Sequence, residues 1–164
     1  FGDQAIAGFV KDGIDVGHVA RDASAPSGVA LIFVAEDGEN AIAVAPGANG
    51  RLSPADVRRA APSFAGAAAL VMQLETPLGT VQAAADLAAK HGVRLILNPA
   101  PARPLPPTLL ERIGILTPNE TEAGLLSGVE VTGEASAAKA AAALRARDRR
   151  HDARSSSRSG GRKP

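Results

Sequence analysis

A repeated unit of a short apolar run, a polar turn and a helical pattern is the feature that most constrains the fold. The apolar runs cover residues 67–74, 93–97 and 113–116, and the helical patterns cover 77–91, 108–112, 120–126 and 135–147. Short apolar runs without alternation are typical of strands that are buried on both faces. Because such strands alternate with helices here, the sequence predicts a parallel sheet covered on both faces.

A second β element precedes the repeat, in residues 28–45. Two apolar runs flank Glu-Asp-Gly-Glu, with Asp37 and Gly38 at the turn, which predicts a β-hairpin. Neither run alternates with polar residues, so both faces of the hairpin are apolar. The pattern predicts that protein, ligand or a second subunit covers each face, although two ordinary core strands explain it equally well.

Composition excludes several classes of protein. The chain has no cysteine, which rules out disulfides and thiolate metal sites. No apolar run reaches the roughly 18–20 residues that span a bilayer, and no signal-like segment opens the chain. We therefore expect a cytoplasmic protein with no membrane partner. Because the chain begins with Phe1 and not with Met, we also expect an internal fragment.

Polar residues follow each predicted strand of the repeat at once. Glu75 follows the first, Asn98 the second, and Asn119 and Glu122 the third. The carboxyl ends of parallel strands meet at one edge of an open sheet, where ligands bind. Singly, Asn119 is explained as a helix N-cap, Glu122 as a complement to the helix dipole and Asn98 as a turn former. The repetition over three strands favours a binding site at a common edge.

Other catalytic patterns are missing from these residues. The sequence contains no Gly-rich phosphate loop of the nucleotide-binding types, no two-His helix motif for zinc and no Gly-x-Ser-x-Gly turn. The three histidines are isolated from one another in the sequence. Zinc hydrolase and serine hydrolase chemistry therefore finds no support.

The last residues break the pattern of the rest. Residues 147–164 carry seven Lys or Arg against Asp148 and Asp152, among Ser and Gly. This composition predicts that 148–164 is a disordered basic tail outside the fold. A helix that ends near Arg147 should lead into another buried strand, which suggests a frameshift that resequencing of the gene would test. The basic cluster favours nucleic-acid binding only weakly, because no aromatic residues or known binding module accompany it.

Four stretches of the sequence resemble the ribokinase family of sugar kinases. They are Ser-Gly-Val-Ala-Leu-Ile-Phe-Val from residue 27 with Gly-Ala-Asn at 47–49, Met-Gln-Leu-Glu-Thr-Pro at 72–77, Leu-Asn-Pro-Ala-Pro-Ala-Arg at 97–103, and Thr-Pro-Asn-Glu-Thr-Glu-Ala at 117–123. The resemblance covers about residues 1–147. It implies an incomplete copy of a three-layer α/β/α, Rossmann-like fold of the ribokinase type, a parallel sheet with a small β-sheet lid that includes residues 28–45.

The resemblance also implies an activity, namely ATP-dependent phosphorylation of D-ribose at its 5-hydroxyl to give ribose 5-phosphate. It implies a homodimer that forms through the lid, and Mg²⁺ and a monovalent cation (K⁺) as cofactors. The residues that match sugar contacts are Glu75, Ala30, Ile32 and Val44. The residues that match the ATP side are Asn98, Asn119 and Glu122, with Glu122 at the magnesium ion.

Two family motifs are not found in these 164 residues. One is an upstream sugar-binding Gly-Gly-Lys-Gly-x-Asn, and the other is a downstream Gly-Ala-Gly-Asp that supplies the anion hole and the catalytic Asp. The adenine pocket and the K⁺ site would lie in the same missing region. We therefore expect this chain to be inactive by itself. The alternatives are a non-catalytic remnant that dimerises through the lid and a nucleic-acid binder that uses the tail.

Overall fold

The computed structural model describes residues 1–158 of the chain, and the side chains of residues 1–146. The helices are α1 (Gly2–Lys11), α2 (Pro54–Arg59), α3 (Leu78–His91), α4 (Pro107–Leu110), α5 (Glu120–Ser127) and α6 (Glu134–Arg158). The strands are β1 (Val29–Val34), β2 (Asn40–Ala45), β3 (Ala69–Met72), β4 (Arg94–Leu97) and β5 (Ile113–Leu116). Single 3-10 turns occupy Gly47–Arg51 and Ala61–Phe64. Within residues 1–158 we find no helix with the length and apolar character that a bilayer crossing requires.

Strands β3, β4 and β5 form a parallel sheet in that spatial order. The final residues of the strands lie side by side, with Met72 opposite Leu97 and Leu97 opposite Leu116. Each helical connection therefore moves the chain one position across the sheet in the same direction. The predicted α/β fold with a parallel sheet and a separate β element is confirmed.

The core lies on one face of this sheet. Leu95 and Leu97 of the central strand pack with Val81 of α3 and Leu109 of α4, and Leu97 is 0% exposed. The opposite face of the sheet is more exposed to water, since Val71 of β3 is 71% exposed. The alternation of strands and helices predicted cover on both faces, but the described residues supply one helical layer and leave the second face of the sheet uncovered.

Local sequence signals begin and end these helices. Ser53 caps α2, because its hydroxyl accepts the N–H of Asp56 while the Asp56 carboxylate accepts the N–H of Ser53. Gly92 ends α3 in the left-handed conformation, with φ of 69°. The Ser53 cap thus fixes the start of α2, and the Gly92 stop fixes the point where the chain leaves α3 for β4.

The hairpin of β1 and β2 is antiparallel and apolar on both faces, as predicted. Ala30 lies opposite Val44 and Ile32 lies two residues further along the same face. Leu31 and Phe33 occupy the other face, where Phe33 is 64% exposed. Every residue of both strands is exposed, so neither face is covered within the described chain.

Helix α6 runs eleven residues beyond its predicted end at Arg147 and stops at Arg158. Whether residues 148–158 belong to the fold stays a prediction, and residues 159–164 lie outside the described part. The segment from Glu134 to Arg158 contains no Gly or Pro and is rich in Ala and Arg, which are strong helix formers. Helix propensity along this continuous stretch outweighs the lack of an apolar face.

The carboxylate of Asp22 is the most strongly perturbed acid of the described residues. The backbone N–H and the hydroxyl of Ser24 donate to its Oδ1 at 2.8 and 2.7 Å, and Nη1 of Arg51 lies 3.2 Å from its Oδ2. The hydroxyl of Ser24, then its backbone N–H and then Arg51 lower the pKa of Asp22 to about 2. These contacts tie the segment before the hairpin to the turn after it.

This arrangement predicts an acid-dependent loosening of that junction. Because the folded-state pKa of Asp22 is below its ordinary value of 3.8, the contribution is complete above pH 3.8 and is lost as pH falls toward 2. Carboxyl ¹³C NMR should give a midpoint near 2 for Asp22. We expect Ser24→Ala to raise that midpoint more than Arg51→Ala does. A midpoint near 3.8 in the unmodified chain would show that the contacts do not form in solution.

Candidate functional site

The ends of the three parallel strands form one edge of the sheet, which we call the rim (residues 73–77, 98–101 and 117–122). The backbone ladder continues into it, because the N–H of Asn98 donates to the carbonyl of Met72 at 2.9 Å. Likewise the N–H of Thr117 donates to the carbonyl of Leu97 at 3.1 Å. The three loops therefore begin side by side, as the strand predictions required.

Glu75 is held at the rim through its backbone. Its N–H donates to the side-chain oxygen of Gln73. The preceding residue, Leu74, is buried in the core and its N–H donates to the carbonyl of Ala100 at 2.8 Å. The carboxylate of Glu75 itself is exposed. A fixed backbone with an exposed carboxylate suits the recognition of ligand hydroxyls.

A cavity of about 440 Å³ lies beside this loop. Its polar lining comes from Asn98 together with Gln73, Thr76 and Thr80, and the remaining lining is mostly apolar. Sequence reasoning identified Asn98 but missed the other three side chains. A signal for two of them was present, because Gln73 and Thr76 flank Glu75 in the polar run that follows the first strand.

Thr80 connects the rim to the hairpin. Its side chain is 2% exposed, and its hydroxyl donates to the carbonyl of Leu52 at 2.6 Å. Leu52 directly follows the 3-10 turn at the base of β2. The first turn of α3 and the segment that follows the hairpin are thus joined by a partly buried hydrogen bond.

Asn119 and Glu122 form a reciprocal cap at the start of α5. The side chain of Asn119 accepts the N–H of Glu122 at 2.9 Å, and Oε2 of Glu122 accepts the N–H of Asn119 at 2.9 Å. Glu122 is 5% exposed. The structural interpretation of Asn119 as an N-cap is confirmed, and the Asn-x-x-Glu spacing is itself the signature of such a cap.

Comparisons with known proteins show which family this chain belongs to. The model of the family described as "pfkB family carbohydrate kinase" matches residues 1–151. The chain belongs to the pfkB family of carbohydrate kinases. It is 50% identical over 133 residues to the ribokinase of Haemophilus influenzae, an alignment that covers 81% of the chain and 44% of that relative. It is 42% identical over 140 residues to the ribokinase of Staphylococcus aureus, covering 82% and 46%.

Solved structures of ribokinases share this pfkB fold. Ribokinase from Giardia lamblia superposes with a TM-score of 0.72 at 35% identity, over 85% of this chain and 44% of that one. Ribokinase from Arabidopsis thaliana, solved with ribose and ATP, gives 0.61 at 29% identity, over 76% and 40%. The chain spans less than half the length of these relatives.

The predicted residues of this pfkB-family chain fall into separate groups. Asn98 lies in the small cavity, whereas Asn119 lines a larger groove beside β5. Ala30, Ile32 and Val44 share one face of the hairpin. The rim collects the polar residues along one edge, but the described residues do not enclose them in one cavity.

The described residues offer few ligand groups for a magnesium ion. Among the residues whose side chains are described, no three His, Asp or Glu side chains cluster as metal ligands. One oxygen of Glu122 is already occupied by the cap. Because Mg²⁺ keeps several of its waters, Glu122 fits a role in which it holds those waters and does not bind the ion directly.

Proposed function

We propose that the chain carries the sugar-binding rim of a ribokinase-type enzyme, which transfers the terminal phosphate of ATP to the 5-hydroxyl of D-ribose. The observation that carries the proposal is the common edge at which three parallel strands deliver Glu75, Asn98 and Asn119. The similarity to named ribokinases supports it, including one solved with ribose and ATP.

On the sugar side, Glu75 supplies a charged acceptor for ribose hydroxyls, and such charge-assisted hydrogen bonds are both strong and directional. The hairpin face that carries Ala30, Ile32 and Val44 supplies an apolar cover over the sugar. Excluding water strengthens the polar contacts beneath that cover and suppresses hydrolysis of ATP. The partly buried bond between Thr80 and Leu52 ties the segment that follows this cover to the first turn of α3.

On the nucleotide side, Asn98, Asn119 and Glu122 are proposed to face the phosphates of ATP. Phosphoryl transfer depends mostly on positioning and on neutralising charge, and a hydrated Mg²⁺ held by Glu122 supplies the latter. These 164 residues contain no Gly-Ala-Gly-Asp, so the proposed base and anion hole come from elsewhere. We expect no turnover from the chain by itself. Because ATP is abundant in the cytoplasm, we propose that the enzyme acts there.

A chimera tests this function. Residues 1–147 of the chain replace the matching part of Haemophilus influenzae ribokinase, and the product is called the chimera below. We expect ATP-dependent phosphorylation of ribose. Since deoxyribokinases are also relatives, at 39% identity, 2-deoxyribose is assayed in parallel. A folded chimera that binds ATP but phosphorylates neither sugar would contradict the proposal.

The exposed hairpin supports a second proposal, a homodimer formed through the face that carries Leu31 and Phe33. Both residues are large, apolar and exposed in the described chain. An exposed apolar sheet face of this kind is typical of a protein interface. This dimer is compatible with the kinase function, and it is also the main feature of a non-catalytic remnant.

We predict that Phe33→Asp weakens self-association by about 100-fold, since it loses a buried aromatic contact and buries a charge. Sedimentation velocity over a concentration series measures this change. Ile32→Asp is the matched control, because Ile32 lies on the opposite face of the same strand and should leave association unchanged. Equal effects of the two substitutions, or a monomer at all concentrations, would exclude this interface.

A further inference from the structure

The loop that carries Glu75 is short, and residues 74–76 form its bend between β3 and α3. Leu74 anchors the start of the bend, because its side chain is buried and its N–H donates to the carbonyl of Ala100 at 2.8 Å. Pro77 ends the bend and has no N–H to donate. The exposed carboxylate of Glu75 leaves the bend between these two points, so its direction depends on how the backbone of Glu75 is held.

Gln73 holds that backbone. Its side-chain oxygen accepts the N–H of Glu75, two residues further along the chain. The side chain of Gln73 is half-buried and lines the small cavity together with Thr76 and Asn98, which restricts its rotation. Bonds from the side chain of residue i to the N–H of residue i+2 close a local turn, and asparagine and aspartate commonly form them. The bond to Gln73 thus fixes the bend in its middle.

The amide of Gln73 is a neutral acceptor, which matters beside a carboxylate. Aspartate or glutamate at this position would accept the same N–H but would place a second negative charge in the turn that carries Glu75. Like charges that lie close together disfavour each other's ionised form. Glutamine therefore holds the backbone of Glu75 without adding a charge to the turn.

We propose that Gln73 is a positioning residue for the sugar, which acts through Glu75 and does not itself contact the ligand. This inference rests on the proposed function, in which Glu75 accepts ribose hydroxyls. Charge-assisted hydrogen bonds depend on direction, so a carboxylate on a bend that is free to turn accepts fewer of them at once. A residue that holds the acceptor in place before the sugar arrives raises the affinity, because less freedom is lost on binding.

Gln73→Met in the chimera removes the acceptor and keeps the length of the side chain. We expect the KM for ribose to rise about 10-fold, with kcat and the KM for ATP unchanged within about twofold. Gln73→Asn is the conservative variant, and since asparagine forms the same kind of turn, its KM for ribose should stay within about threefold of the unmodified value. Gln82→Met is the matched control, because Gln82 is a half-buried glutamine of α3 outside the small cavity and the larger groove. It should leave every constant unchanged.

A double-mutant cycle shows whether Gln73 acts through Glu75. In a chimera that already carries Glu75→Gln, we expect Gln73→Met to change kcat/KM for ribose by no more than about twofold, because the charged acceptor that it positions is gone. The same 10-fold effect in both backgrounds would mean that Gln73 contacts the sugar directly, and it would overturn the proposal.

Amide hydrogen exchange tests the bond itself, without any enzyme activity. In the 164-residue chain we expect Gln73→Met to speed exchange of the Glu75 amide about 10-fold, whereas the amide of Leu74, bonded to Ala100, changes little. Unchanged exchange at Glu75, or equal acceleration at Leu74, would overturn the proposal. So would an active Gln73→Met chimera with an unchanged KM for ribose, or a Gln73→Asn chimera as weak as Gln73→Met. An unmodified chimera without activity would instead reject the proposed function, and this inference with it.

Discussion

Glu75→Gln in the chimera is expected to lower kcat/KM for ribose by about 100-fold or more, with little change in the KM for ATP. A carboxylate that accepts two sugar hydroxyls contributes roughly 1.5–3 kcal/mol for each bond. The amide of glutamine keeps the shape but removes the charge and presents a donor to one hydroxyl. Steady-state kinetics over ribose and ATP concentrations separates the effect on the sugar from any effect on the nucleotide.

Glu130→Gln serves as the control for that experiment. Glu130 is exposed in the loop that precedes α6, and neither the small cavity nor the groove includes it. We expect its kinetics to match those of the unmodified chimera. If Glu75→Gln changed kcat/KM for ribose no more than Glu130→Gln does, Glu75 would not be a sugar ligand.

Leu97→Ala is expected to have the largest effect on stability, a loss of about 3 kcal/mol from the free energy of unfolding. Leu97 is fully buried at the carboxyl end of the central strand and packs in the main core cluster. Truncation leaves a cavity that the flanking strands cannot fill, because both are hydrogen-bonded to β4. For a domain of this size the loss is a large part of the total stability. Urea unfolding followed by circular dichroism measures it.

Leu125→Ala is the matched control for the core. It removes the same atoms from a residue of α5 that is 48% exposed. We expect a loss below about 1 kcal/mol, since about half of that residue is already exposed to water. Similar losses for the two substitutions would show that the sheet face with Leu97 is not the core.

Much of the fold could be predicted because local signals and burial agree. The apolar runs became β3, β4 and β5, and the helical pattern at 77–91 became α3 at Leu78–His91. Parallel pairing then placed the polar loops at one edge without any further information. Hydrophobic runs and turn residues are short-range properties, so the sequence displays them directly.

The rest depended on contacts that no local pattern contains. The sequence around Thr80 predicts only an ordinary helix residue. Its bond to Leu52 depends on the packing of α3 against the segment that follows the hairpin. The helix was predicted to end near Arg147 because no apolar face continues beyond it, whereas helix propensity extends α6 to Arg158. Asn119 and Asn98 follow neighbouring strands, but the shape of the helical layer places them beside different cavities.

The central claim is that the carboxyl ends of the parallel strands, and not their amino ends, receive the sugar and the nucleotide. Backbone amide shifts in the chimera test it directly by NMR, first with ribose and then with Mg²⁺ and a non-hydrolysable ATP analogue. The account predicts that ribose shifts the amides of Glu75 and Asn98, and that the nucleotide then shifts that of Asn119. Shifts concentrated at Ala69 and Arg94, at the amino ends of β3 and β4, would contradict it.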